Sequence, residues 1–208
     1  MLLRRQMMKP KGGDWRDLYQ QVAYLQSVRA KTYINTGIVP NSSMRVVVDA
    51  ESPNNAGASF VFGSRKSTSA ERFWFITWKG YAEYGFGNDH NSAIKSMPES
   101  TRYVADFNHT ATHTMTVDST SVDARATTDT YTYPIFLFTI NNGGSPDLSQ
   151  QYAIKVYSFQ IFNSYQDTEP ILNFIPCYRK ADNEPGMYDT VSGTFFTNAG
   201  TGDFIIPT

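Results

Sequence analysis

The sequence predicts an all-β protein, a two-sheet antiparallel sandwich with a short N-terminal arm. Three observations carry this prediction. Aromatic residues make up 14% of the 208 positions, mostly 13 Tyr and 14 Phe, and they stand among many Thr, Gly and Asn, a composition that favours pleated sheet over helix. About a dozen short segments alternate apolar and polar residues between turn signals, the pattern of a sandwich or jelly roll. Only one segment carries a helical spacing. A β domain of this length folds as one unit without a forced split.

Residues Met1 to Gly13 form the arm, basic, Met-rich and closed by Pro10 and Gly12-Gly13. It is a loosely docked terminus or, alternatively, an anchor to a neighbouring subunit. The remainder, 14–208, is the sandwich domain. Asp14 is placed to cap a helical turn, since Trp15, Leu18 and Val22 recur at helical spacing. Strands follow at Lys31–Thr36 and Met44–Ala50, where Val46 and Val48 alternate with Arg45 and Asp49, and Ser52-Pro53-Asn54-Asn55 marks a loop. Ser59–Gly63, Arg72–Lys79 and Tyr81–Phe86 come next, the last two joined tightly near Lys79-Gly80. Gly87–Pro98, with Asn88, Asp89 and Asn91, reads as a loop.

Thr101–Phe107, His113–Val117 and Val122–Ala126 read as a Thr-rich, half-exposed antiparallel set. Ile135–Ile140 is a continuous apolar run, expected as a strand buried on both faces and broken by Asn141-Asn142-Gly143-Gly144-Ser145-Pro146. Tyr152–Phe162 is the longest strand pattern, and Ile171–Ile175 follows the Ser164–Pro170 turn. Gly186–Tyr188, Thr194–Phe196 and Phe204–Ile206 are short strands divided by Gly193 and Gly200. No internal repeat is present.

Charge and cysteine usage exclude several function classes. Lys and Arg number 18 against 19 Asp and Glu, a net charge of -1. That balance lacks the basic excess of a nucleic-acid partner. Cys177 is the only cysteine, so neither an intrachain disulfide nor a thiolate metal site is available. No apolar run approaches the ~20 residues of a bilayer crossing. The opening Met1 to Lys9 lacks the apolar stretch of a secretory leader, so synthesis in a cytoplasm and release by another route is expected.

Blocks at both ends of the chain carry a resemblance. At the front stand Tyr24-Leu25-Gln26-Ser27, Tyr33-Ile34-Asn35-Thr36-Gly37-Ile38 and Pro40-Asn41-Ser42. At the back stand Ile154-Lys155-Val156-Tyr157-Ser158-Phe159, Phe174-Ile175-Pro176-Cys177, Gly186-Met187-Tyr188-Asp189 and Phe195-Phe196-Thr197-Asn198-Ala199-Gly200-Thr201-Gly202. In order and spacing these resemble concanavalin-like, laminin-G-like jelly-roll domains. The match covers roughly half of the domain, and Phe60 to Thr132 matches only as a pattern of strands.

The resemblance implies a jelly roll whose first strand lies at about Gln20–Ser27, leaving at most one short turn at Asp14–Leu18. It also implies that the first and last strands pair. Such domains recur in bacteriophage and prophage structural proteins and in surface proteins of gut bacteria. The opening Arg4-Arg5-Gln6-Met7-Met8 is similar to the start of phage-encoded members. A virion protein is therefore expected, as head decoration, fibre or tail-associated subunit on the particle surface. Its partners would be other virion proteins, with a homo-oligomer compatible and no single ligand implied.

No enzyme is expected. A glycosidase needs two carboxylates flanking the scissile bond, and the nearest acid pairs, Asp49/Glu51 and Asp118/Asp123, sit beside turn residues. There is no Gly-x-Ser-x-Gly elbow and no phosphate-cradling glycine loop. His109 and His113, four apart, would share one face of a strand, but they lack a third ligand. Asp89 with Asn88 and Asn91, or Asp147, could offer oxygens to calcium, yet turn formation explains them better. Neither metal nor cofactor is expected. Cys177 reads as a small buried apolar residue. Asn108-His109-Thr110 matches a glycosylation sequon and reads as coincidence.

The most suggestive surface is Arg72–Phe86. With Phe73 and Phe75 facing the core, Arg72, Trp74, Ile76 and Trp78 line the opposite face, followed on the next strand by Tyr81 and Tyr84. Arg72, Trp74, Trp78, Tyr81 and Tyr84 are the candidate ligand-binding set. Such rings stack on the apolar faces of sugars, or form a protein-protein hot spot, or are simply covered core. All three readings are open from the sequence. The first makes the chain a carbohydrate-binding module for host or mucus glycans.

Overall fold

The structure is a computed structural model and describes residues 14–52, 56–125, 130–150 and 152–207. Asp14 caps a single 3-10 turn, η1 (Trp15–Asp17), by accepting a hydrogen bond from Arg16 N. The strands are β1 (Tyr19–Gln21), β2 (Leu25–Gln26), β3 (Ile34–Asn35), β4 (Arg45–Ser52), β5 (Ser59–Arg65) and β6 (Arg72–Trp78). Then come β7 (Tyr81–Gly87), β8 (Asp89–Ser96), β9 (Thr101–Phe107), β10 (Thr114–Val117), β11 (Thr120–Asp123) and β12 (Phe136–Leu137). The last are β13 (Asn141–Asn142), β14 (Ser145–Pro146), β15 (Lys155–Phe162), β16 (Leu172–Arg179), β17 (Glu184–Asp189) and β18 (Thr194–Phe196). The expected all-β sandwich is what forms. No helix of the described residues is long and apolar enough to cross a membrane.

Two sheets pack face to face. The first runs β11-β10-β9-β4-β15-β16-β17-β18, with β1 beside β16 and β2 beside β15. The second runs β14-β13-β5-β6-β7-β8, with the β3–β12 pair against β5. Pairing is antiparallel except for β13, which runs parallel to β5. On β4 the side chains of Val46, Val48 and Ala50 point inward and those of Arg45, Asp49 and Glu51 outward, the alternation of a half-buried strand. The interior is rich in rings: Phe62 of the second sheet touches Phe107 and Phe159 of the first edge-on, at 5.5 and 5.6 Å between ring centres. The chain ends close the fold as expected, with Gln26 and Ile205 exchanging backbone hydrogen bonds of 2.8 and 2.9 Å.

Several expectations need correction. The segment Gly87–Pro98 is not a loop, because Asp89–Ser96 forms the edge strand β8 against β7. Its polar composition suits an edge with one face in water. Ile135–Ile140 is buried as expected but is no continuous strand. Phe138 takes a φ of 72°, which lets the chain turn from antiparallel pairing with β5 at β12 to parallel pairing at β13. The expected first strand at Gln20–Ser27 divides between β1, on β16, and β2, on β15. Lys31–Thr36 keeps only Ile34–Asn35, and Phe204–Ile206 contributes a single bridge.

The expected arm, Met1 to Gly13, lies outside the described residues. His109 and His113 flank a turn, so they do not share a strand face. Asn108 is fully buried, and its Nδ2 donates to Ser42 O at 3.0 Å and Met44 O at 2.8 Å. A glycan on that nitrogen is incompatible with the fold. Asn108→Ala strips two carbonyls of their donor, one of them in a buried bond, and should cost about 2–4 kcal/mol. Urea unfolding of the variant against wild type measures this.

Candidate functional site

The outer faces of the two sheets have opposite chemistry. On the first, Arg45 makes a bidentate pair with Asp106 at 2.8 and 2.7 Å, and Arg102 one with Asp49 at 2.7 Å on both arms. Lys155 Nζ and Tyr157 Oη each donate to Glu51 at 2.8 Å. Asp118 is held by Lys95, and Asp123 accepts from Thr114 at 2.7 Å. Both acid pairs considered for hydrolysis are thus engaged, Asp49, Glu51 and Asp123 across neighbouring strands and Asp118, in the β10–β11 turn, by a lysine of the second sheet. The proposed calcium oxygens are engaged as well. Asp89 accepts from Tyr84 Oη and Arg125 N, both at 2.9 Å, and Asp147 pairs with Arg65 at 2.5 Å. Among the described residues no cluster of three metal-ligating side chains exists.

The second sheet carries a groove of about 380 Å³ on its outer face, lined by side chains that include Phe60, Trp74, Ile76, Trp78, Glu83 and His90. Its volume falls in the range of small-ligand sites. Strand alternation builds it. Phe73 and Phe75 join the core between the sheets, which turns Arg72, Trp74, Ile76 and Trp78 outward, as the sequence predicts. Phe60 stands directly across from Ile76, and a bulge at Val61 then sends both Val61 and Phe62 inward.

Trp74 lies flat against the sheet because its cross-strand neighbours are both glycine. Gly63 on β5 and Gly85 on β7 pair with Trp74. A Cβ on Gly63 would meet Trp74 Cβ at 2.2 Å, and one on Gly85 would meet the indole ring at 2.4 Å. The next position in the same row is His90, paired with Gly85, with its ring 5.4 Å from that of Trp74. The row Gly63–Trp74–Gly85–His90 therefore seats one indole across three strands. Lys79 and Gly80, with φ of 49° and 81°, make the tight hairpin that sets Trp78 opposite Tyr81, the geometry of a two-residue turn matched to strand twist.

The candidate residues divide. Arg72, Trp74 and Trp78 line the groove, and Tyr81 is exposed on the same face but stands outside the lining. Tyr84 does not belong. It is three residues from Tyr81 and so points through the sheet into the core, its hydroxyl held by Asp89. Burial and that hydrogen bond push its ionisation up. Cys177 is buried and free, its thiol pushed up to about 12 by burial, as befits an apolar residue.

Sequence reasoning missed Glu83, His90, Arg65 and the two glycines. Gly63 and Gly85 did carry a signal, since a glycine inside a strand marks close approach of another group. Glu83 carried none. It projects beside Ile76 where the β7–β8 register shifts. Its side chain is 5% exposed, with Oε2 3.5 Å from His90 Nε2 and no hydrogen-bond partner. Burial raises its acid from 4.5 to about 7, against the pull of Lys79. Burial and the Arg72 charge lower His90. Trp74 Nε1 is likewise buried without a partner. Unpaired buried polar atoms cost roughly 1–3 kcal/mol each and call for a functional account.

Two outcomes follow from this geometry. Gly85→Ala should lower stability by about 2–4 kcal/mol, since the new methyl must lift the indole; thermal unfolding reads it. Glu83 takes up its proton more readily in the folded state, so its stabilising contribution is complete below 4.5 and lost as pH rises through about 7. Glu83→Gln should therefore gain about 2 kcal/mol on wild type between about pH 5 and about pH 8. Denaturant titrations of both proteins across that window measure the difference. Neither a family model nor a curated protein matches the chain.

Proposed function

We propose that this chain is a non-enzymatic binding module, a jelly-roll sandwich that takes a saccharide in the groove on the outer face of its second sheet. The observation that carries this reading is the floor of the groove. Trp74, Phe60 and Ile76 are buried there, and the Trp78 ring is 40% exposed at its edge. A flat, rigid aromatic surface with hydrogen-bonding groups at its rim suits a sugar ring, which has apolar C–H faces and a polar circumference. Glu83 is the one carboxylate among the lining residues. Hydrolysis of a glycosidic bond needs two, about 5–10 Å apart, so binding without cleavage is favoured.

The setting of the module is proposed from the resemblance of both chain ends to concanavalin-like, laminin-G-like domains of phage and gut-bacterial surface proteins. In that setting the chain decorates a virion as a head, fibre or tail-associated subunit. Other virion proteins hold it, and the groove meets host or mucus glycans.

A glycan array tests the saccharide reading. Trp78→Ala removes an exposed ring, so the fold should persist by far-ultraviolet circular dichroism and cooperative thermal unfolding while array binding falls at least about tenfold, the order of one lost stacking contact. Binding of Trp78→Ala equal to wild type, or no binding of wild type across bacterial and mucosal glycans, would overturn it.

A further inference from the structure

We propose that the groove selects acidic saccharides, with the Arg72 guanidinium taking the carboxylate or sulfate of a sugar whose ring lies against Trp78. This inference rests on the saccharide reading and narrows it to one chemical class.

Charge accounting in the groove points this way. The lining carries Arg65, Arg72, His90 and Glu83. Arg65 is neutralised by Asp147 at 2.5 Å. Arg72 has no carboxylate partner among the described residues, whereas Arg45, Arg65 and Arg102 each pair with one across neighbouring segments. Instead its Nε donates to Gly87 O at 3.1 Å and its Nη2 to Asn88 O. These two backbone carbonyls fix the plane of the guanidinium while leaving its charge uncompensated. A guanidinium has five N–H donors, so the remaining ones stay available for two oxygens of a carboxylate or sulfate. Charge-assisted, fork-shaped bonds of this kind are among the stronger polar contacts in proteins. Arg72 is half-buried, so such a bond would form partly shielded from water.

The second observation is Glu83. Its Oε2 is buried without a hydrogen-bond partner, in a groove whose lining also holds the unpartnered Trp74 Nε1. The charged or titratable groups around it are Arg65 on β5, Arg72 on β6, Lys79 in the hairpin and His90 on β8. A buried carboxyl that keeps its proton near neutrality does not repel an anionic sugar and can donate a hydrogen bond to it. Once ionised, it opposes the anion that Arg72 attracts. Affinity for an acidic sugar should therefore fall as pH rises past the ionisation of Glu83. Protonation of His90 at lower pH adds positive charge and acts in the same direction, so a Glu83 variant is needed to separate the two.

The test uses the full chain on an array that pairs uronic acid, sialic acid and sulfated glycans with their neutral parents, at about pH 6 and about pH 8. Acidic members should bind about tenfold or more above their parents at the lower pH, and less strongly at the higher. Arg72→Gln should abolish the preference, and Arg72→Lys, which keeps the charge but not the fork, should retain part of it. Glu83→Gln should bind acidic members with much less pH dependence. Equal binding of acidic and neutral members would overturn the acidic preference and leave the saccharide reading standing. Absence of binding to any saccharide would overturn both. An unchanged preference in a folded Arg72→Gln would remove Arg72 from the role.

Discussion

Phe107 of β9 places its ring edge-on against three rings of the facing sheet, Phe73 at 4.8 Å, Phe62 at 5.5 Å and Phe86 at 6.0 Å between centres. Edge-to-face contacts of this kind add directional preference to the burial of large apolar area. They fix which way β5, β6 and β7 face. Because side chains alternate along a strand, committing Phe73 and Phe75 to this cluster commits their neighbours to the other side. Arg72, Trp74, Ile76 and Trp78 form a surface because the rings between them form a core.

Along β4, β9 and β15 the outer face of the first sheet meets water with crossed ion pairs, Arg45 with Asp106, Arg102 with Asp49 and Lys155 with Glu51. The outer face of the second sheet leaves charge and polar atoms unanswered around a bed of rings. One backbone architecture thus carries a sealed side and an open side. The difference lies in small choices at paired positions, such as Asp106 opposite Val47 beside Arg45, and Gly63 and Gly85 opposite Trp74. Single glycines decide whether an indole can lie down.

Local alternation made much of this legible from sequence. In β4, β6 and β9 the core-facing residues recur at every second place, Val46 and Val48, Phe73 and Phe75, and Tyr103, Ala105 and Phe107, so the sidedness of each strand follows once one of them is placed inside. The sequence was less informative where partners decide the outcome. Asp89–Ser96 becomes a strand only because β7 offers an unpaired edge, and its polar residues look like a loop in isolation. Ile135–Ile140 is kinked by its switch of pairing direction along β5, which no local pattern announces. Tyr84 was assigned to the wrong face through its three-residue distance from Tyr81. Glu83 and His90 lie together through a register shift between two strands, and burial of a carboxylate is a property of its neighbours rather than of its own segment.

The seating of Trp74 on two glycines also makes the groove visible to light. The chain has three tryptophans. Trp15 stacks on Tyr188 at 4.8 Å, against β17 of the first sheet. The other two line the groove, one buried against the sheet beside an imidazole and one open to solvent under the ammonium of Lys79, 5.2 Å from its ring centre. Two of the three intrinsic chromophores therefore sit where a ligand would enter, in surroundings that differ in polarity and in nearby quenchers. The unlabelled protein carries its own optical gauge of occupancy.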